Sequence, residues 1–361
     1  MAMNTPASSR APIFPPASTE PPRSLVSNGR YNFGTYNRSI PEINSLDAAG
    51  SGPLAFARRA ARNTALKEWE AFQLGDDNWF VLGAVYNAKS LGLLQVLAVN
   101  KHDATITRWE SKLPSPMLSV ARGLDDTVSH GEFGGVKIEI GNNLPDGVLT
   151  VDAEARGTAR RPEMGLHVTG DCSADNAGHL VVVHPFAKNK ALYSHKAMMP
   201  ASGSLIIDDN RVGLTDDRGY LILDDHHGDY PRPMKYDWVT GIRRNDAGQV
   251  EGFNLTHNQM LDPGVYNENA IWIGNRVHRL PEITVTRPDG PWGKWFIRDT
   301  AGAVDVTFTP TVQSTMHVGP RKVLAEYYAP YGWYEGNIHA EDATLNVDGF
   351  FGVGEQKRIT V

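Results

Sequence analysis

The sequence holds a single cysteine, Cys172, among 361 residues. That excludes internal disulfides and cysteine-rich zinc sites, and it suits a reducing compartment. No apolar run reaches the roughly 18 to 20 residues that cross a bilayer, and the N-terminus shows no basic-then-apolar secretory pattern. A cytoplasmic protein without a membrane is therefore the expectation. Basic charge is also in short supply: 35 Lys and Arg against 41 Asp and Glu give a net charge of -6, which argues against capture of nucleic acid or anionic lipid.

Nucleotide and hydrolase signatures are missing as well. There is no phosphate-binding G-x-x-x-x-G-K-S/T, no H-E-x-x-H and no G-x-S-x-G elbow. Gly50-Ser51-Gly52-Pro53-Leu54-Ala55 matches the dinucleotide fingerprint in letters, but no strand precedes it and no βαβ unit surrounds it. Two glycosylation sequons, at Asn37 and Asn254, mean nothing without a secretion signal. No cofactor is expected.

What the chain does have is 35 glycines and 23 prolines, spaced to punctuate many short strands. Residues 1–28 are rich in Pro, Ser and Ala, lack a hydrophobic period, and are expected to form a flexible arm. LAFARRAARNT, from Leu54 to Thr64, is the one short helix, with an arginine stripe opposite or flanking Leu54, Ala57 and Ala61. After it come LKEWEAFQL, WFVLGAVY, LGLLQVLAV and ATITRWE, separated by the polar turns GDDN, NAKS and NKHD. Strands of this length joined by tight turns make an antiparallel meander. The rhythm returns in GYLILDD, GFNLTHN, AIWIGN, KWFIRD and VDVTFTP. The fold class is thus mainly β, suited to barrels or sandwiches. The irregular stretch from Pro185 to Lys190 is the expected boundary between an N-terminal β domain, 29–187, and a C-terminal one, 188–361.

The densest polar cluster, LDDHHGDYPRPMKYDWVTG, follows the apolar strand YLIL. Asp and His at a strand end have the makings of general acid–base catalysis, because burial tunes them into complementary protonation states. A period of two places Tyr220, Ile222, Asp224 and His226 on one face and Leu221, Leu223, Asp225 and His227 on the other. The same residues also suit a solvated loop stapled by hydrogen bonds. His226, His227 and Asp229 are metal-ligand types, but adjacent strand residues face opposite ways, so no metal is assigned. Upstream, His195 and Lys196 stand at the end of a short run before a Pro200 and Gly203 turn; Lys196 suits charge stabilisation if buried, and a surface role if not. Downstream, Asn254 shares a strand face with Thr256, and Glu268 lies between Asn267 and Asn269, with Trp272 on its parity.

In order and spacing these elements resemble the DUF2804 family. The resemblance rests on Lys67-Glu68-Trp69, Ser194-His195-Lys196 with Pro200 and Gly203, Asp224 to Trp238, Gly252-Phe253-Asn254, Glu268-Asn269, and Gly332 to Gly336 with Phe351, Gly352 and Glu355. It covers residues 30 to 361. That family is distantly similar to lipocalin-like proteins such as carotenoid 1,2-hydratase and cofactor-free cyclases. The resemblance implies two lipocalin-like β domains with a pocket at or between them, and a carboxylic acid that protonates an alkene.

The reading that follows is a cofactor-independent lyase, hydratase or isomerase acting on a small or hydrophobic molecule. Asp225 is its expected acid or base, His226 the partner or proton shuttle, Lys196 the stabiliser of negative charge and Glu268 an orienting group in the same catalytic set. His195, Tyr230, Trp238, Asn254, Asn269 and Trp272 are expected to bind substrate. The alternatives are a hydrophobic-ligand carrier, or glycoside cleavage by the pair Asp225 and Glu268. The partner is a small molecule, with a homodimer also compatible.

Overall fold

A computed structural model describes residues 11–214, 217–318 and 325–360. Two large curled antiparallel sheets carry most of them. In the first, the meander Lys67–Gly75, Trp79–Asn87, Gly92–Asn100 and Ile106–Leu113 forms as the sequence predicts. Lys67–Gly75 then pairs with Tyr220–Gly228, which pairs with Lys190–Ile207, and the sheet continues through Met164–Asp171, Val148–Ala155, Val136–Asn143 and Thr127–Phe133. The second sheet is built around Val250–Asn258, Met234–Arg244, Phe350–Ile359, Tyr331–His339 and Val304–Val312.

Strict alternation explains the curl. Val136, Ile138 and Ile140 are fully buried while their neighbours are half-buried, so each strand sends one row of side chains inward. Those rows, with Leu94, Val96, Val151, Val168 and Leu205, fill the interior of the first sheet. Phe253, Leu255, Trp295, Phe308 and Phe350 fill the second. Each such aliphatic side chain contributes about 1.5–3 kcal/mol on leaving water.

The outer faces then meet each other. Phe80, Leu82 and Leu97 of the first sheet pack on Trp238, Tyr331 and Phe351 of the second. Nearby, Leu180, Met198 and Ile222 pack on Ile242, Val250 and Trp272. Strands at this seam are therefore buried on both faces; every residue of Tyr220–Gly228 is buried.

Three expectations change. The boundary at 187/188 falls inside a hairpin of the first sheet, since Gly178–Ala187 pairs with Lys190–Ile207. The chain passes to the second sheet only between Gly228 and Met234. The expected turn at Pro200 and Gly203 is instead the middle of an 18-residue strand. Its first half pairs with Gly178–Ala187 and Tyr220–Gly228, and its second half with Met164–Asp171 and Asn210–Leu214. Both neighbours change at the proline, which has no N–H to donate. Gly203 sits in the same bend at φ 153°, where a Cβ would lie 2.1 Å from the His167 carbonyl oxygen.

The arm is also tied down over much of its length. The Thr19 amide donates to the Thr35 carbonyl at 2.9 Å, and Leu25 and Val26 are buried against Tyr193 and Val183; residues 1–10 lie outside the described residues. The helix forms as Ala55–Ala65 but buries none of its residues, leaving Leu54 67% and Phe56 85% exposed. No helix among the described residues is long and apolar enough to cross a membrane.

Candidate active site

The seam between the sheets encloses a cavity of about 290 Å³. Its floor is the outward row of Lys67–Gly75, namely Trp69, Ala71 and Gln73. The small Ala71 and Ala84, paired across neighbouring strands, leave the space open. Aromatic rings wall it: Trp69, Tyr86, Tyr230, Tyr236, Trp238 and Tyr327. The cavity thus lies between the two sheets and not inside a barrel.

One wall is polar because two strands bring their outward rows into register. Lys196 is paired with Asp224, and Ser194 with His226. Lys196 Nζ donates to Asp224 Oδ1 at 2.5 Å and lies 3.3 Å from His226 Nε2. His226 Nε2 is also 2.8 Å from Asp224 Oδ1 and 3.0 Å from Ser194 Oγ. Trp69 stacks on the imidazole at 4.5 Å, and the Tyr230 hydroxyl stands 3.4 Å from its Nδ1. Lys196 Nζ lies 5.0 Å over the Trp238 ring, within cation–π range.

Glu268 reaches this wall from the second sheet. Ser194 Oγ donates to one of its oxygens and Thr256 Oγ1 to the other, the latter at 2.8 Å. His184 Nε2 is 3.6 Å away, too far for a hydrogen bond. Burial acts to raise both carboxyls, but the Lys196 ammonium and the imidazoles beside them prevail. Lys196 and His226 hold Asp224 down at about 2, and Lys196 with His184 holds Glu268 well below the usual carboxylate range. Burial lowers Lys196, yet Asp224 and Glu268 raise it above the ordinary lysine value, so the ammonium is retained.

The Phe350–Ile359 strand supplies a third carboxyl in a different environment. Tyr236 OH donates to Glu355 Oε2 at 2.9 Å, Tyr327 OH donates to the other oxygen, and Lys357 Nζ donates to Tyr236 OH at 3.0 Å. Burial raises Glu355, outweighing Lys357 and the two hydroxyls that lower it. Burial lowers Lys357, against the pull of Glu355. The cavity therefore contains an ionised carboxylate within a Lys–His cluster and, apart from it, a carboxyl biased toward its protonated form. Such a pair can give a proton at one point and take one at another.

Of the residues expected from sequence, Lys196, His226, Glu268, Tyr230 and Trp238 line the cavity. Asp225 does not: it leaves the opposite face of its strand, where His227 Nε2 meets it at 3.0 Å. Asp224 stands in the place expected for it, as period two requires of any residue sharing a face with His226. The pair Asp225 and Glu268 is accordingly not set across one cleft, and no glycoside-cleaving pair is formed there. His195 also faces away, bonded to Ser39 at 3.2 Å and to His179 at 3.0 Å.

Asn254, Asn269 and Trp272 support the site without lining the cavity. Asn254 accepts from Trp238 Nε1 at 2.6 Å and donates to the Glu268 carbonyl at 2.9 Å, fixing both. Asn269 accepts from the Thr256 amide at 2.6 Å and donates to the Pro281 carbonyl. Trp272 packs in the seam and donates to the Gly178 carbonyl at 2.8 Å. Asp229 pairs with Arg62 at 3.2 Å and Lys190 at 3.3 Å. Among the described residues no group of three or more His, Cys, Asp or Glu is placed to hold a metal.

Sequence reasoning missed Gln73, Tyr327 and Lys357, while Ser194 entered only within a family motif and Tyr236 only within the polar cluster. Glu355 entered only as part of a family motif. The shared parity of Glu355 and Lys357 was the available signal.

No curated protein matches the sequence. Among solved structures, CghA superposes with a TM-score of 0.50 at 10% identity, over 82% of this chain and 89% of that one. Kievitone hydratase from Nectria haematococca gives 0.48 at 14% identity, over 97% and 98%. At such identities the likeness to CghA is one of fold. The profile described as "Domain of unknown function (DUF2804)" matches residues 17–360, nearly the whole length, and the chain belongs to that family.

Proposed function

We propose that the cavity carries out cofactor-independent proton transfer at carbon, as a hydratase, lyase or isomerase, on a small and largely apolar organic molecule. The observation that carries this reading is the placement of two unlike carboxyl groups in one buried cavity. Asp224 is held by Lys196 and His226, and Glu355 is capped by two tyrosyl hydroxyls. In the hydration direction, Glu355 gives its proton to one carbon of an alkene. Water attacks the other carbon and loses its proton to Asp224 or His226, so one water is added in all. In the reverse direction the same groups exchange roles. Lys196 stabilises negative charge that develops near Asp224, and the aromatic walls hold apolar substrate while excluding bulk water. Ser194 and Thr256 anchor Glu268 beside this wall.

A carrier without turnover would use the same cavity, and variants separate the two. In untargeted profiling of metabolite extracts, wild-type protein is expected to convert a compound into its hydrated, dehydrated or isomeric form. Asp224→Asn and Glu355→Gln are each expected to slow that conversion by about 10²–10⁴-fold, the usual contribution of a positioned acid or base. Unchanged conversion by both folded variants would sink the proposal.

A further inference from the structure

Gln73 is 1% exposed, lines the cavity floor, and has no hydrogen-bond partner among the described residues for either its Nε2 or its Oε1. Its cross-strand neighbours, Ile222 and Leu82, are apolar. Burying an amide with both ends unpaired carries a free-energy cost that leucine or methionine at this position would avoid. The other buried polar groups around the cavity behave differently. Ser194, Thr256 and Glu268 have protein partners. Gln73 alone among them presents a free donor beside a free acceptor to the enclosed space.

Its position relative to the acid–base wall follows from strand geometry. Ala71 is paired with Asp224, and Gln73 lies two residues further along the same outward row. That is about 7 Å along the strand. A molecule lying over Ala71 and Ala84 would have its reacting carbon at Asp224 and His226 and its far edge at Gln73.

We propose that Gln73 is the specificity residue of this cavity, and that it recognises a neutral ring edge in which an N–H or O–H donor adjoins a carbonyl-type acceptor, as in a lactam. An amide side chain meets such an edge at two points, with Nε2 donating to the carbonyl and Oε1 accepting from the N–H. The inference deepens the functional proposal and rests on its placement of the ligand in this cavity, but its readout is binding and not turnover.

Two compounds with the same ring frame test it by calorimetry: isoquinolin-1-one, which has the paired edge, and isoquinoline, which has an acceptor only. Wild-type protein is expected to bind the first roughly tenfold or more tightly than the second. Gln73→Leu should erase that preference while its melting temperature stays level or rises, because it removes an unpaired buried amide. Asp224→Asn should keep the preference, so failure of the catalytic proposal leaves this one intact. Equal wild-type affinity for the two compounds would overturn the inference. So would a Gln73→Leu protein that melts earlier and loses affinity for both alike, since that assigns Gln73 a structural role.

Discussion

Asp224 and His226 leave one face of the Tyr220–Gly228 strand, and Asp225 and His227 leave the other. Each face thus bears a carboxylate and an imidazole two residues apart. The first pair meets Lys196, Trp69 and an open cavity. The second meets a buried polar cluster inside the first sheet, away from that cavity. There His227 bonds Asp225 at 3.0 Å and stands 3.6 Å from Glu68, which pairs with Lys89. Glu70, opposite Asp225, accepts from Ser129 and, at 3.1 Å, from Asn142. Burial lowers His227, but Asp225 and Glu68 overcome it and lift it to about 9. Burial, then the charge of Asp225, pushes Glu70 up to about 8. The residue types and spacing are the same on both faces. Only the first face opens on the cavity between the sheets.

The sharpest way to break this comparison is to neutralise each aspartate in turn. Asp224→Asn carries the largest expected effect, the 10²–10⁴-fold loss of turnover described above. Asp225→Asn should leave turnover per folded molecule within a few-fold of wild type. It should instead cost about 3–5 kcal/mol in denaturant unfolding, because the buried His227 loses the nearer of its two carboxylate partners. If Asp225→Asn abolishes turnover in protein that is still folded, the division between the faces is wrong.

Acidity gives a second contrast. Glu70 and His227 have raised values in the fold, so the stability they contribute is complete below their unfolded values, near 4.5 and 6.5. It is lost as pH rises through about 8 and about 9. Asp224 and Glu68, held near 2, contribute stability that is present above about pH 4.5 and lost as pH falls toward 2. The unfolding free energy should therefore fall between about pH 6.5 and pH 8, by on the order of a few kcal/mol, whereas below pH 6.5 the buried His179, His184 and His195, lowered by burial, oppose the trend. Glu70→Gln should flatten the part of that fall below pH 8. An equally steep fall in Glu70→Gln would remove Glu70 from the account.

The smallest effect is expected at Ser194, whose hydroxyl joins His226 to Glu268. Ser194→Ala should cost about 1 kcal/mol of stability, the usual value of one such hydrogen bond. It should reduce turnover less than Asp224→Asn does. A loss of turnover as large as that of Asp224→Asn would move the proton path onto the serine.

Much of this was legible in the chain. The meander strands could be read from their apolar runs and polar turns, and the period-two sorting of the Tyr220–Gly228 strand already separated Asp224 and His226 from Asp225 and His227. Choosing Asp225 as the partner of His226 set that sorting aside. The strand could not reveal which face meets the ligand, because all nine of its residues are buried and the burial pattern carries no alternation. The Pro200 and Gly203 signal was misread for a related reason: breakers mark a local bend, and only the partners on either side decide whether the chain turns back or continues.

Composition and periodicity by themselves determined a β-rich chain with one cysteine and a polar cluster rich in carboxylates and imidazoles. Those properties follow from side-chain type and a repeat of two, both local. Tertiary structure alone decided that the cavity lies between the sheets, that Asp224 and not Asp225 enters it, and that Glu355, Lys357 and Gln73 join it from more than a hundred residues away. The physical reason is long-range register: a side chain's function depends on what the opposing sheet places against it, and that pairing is not encoded in any one segment.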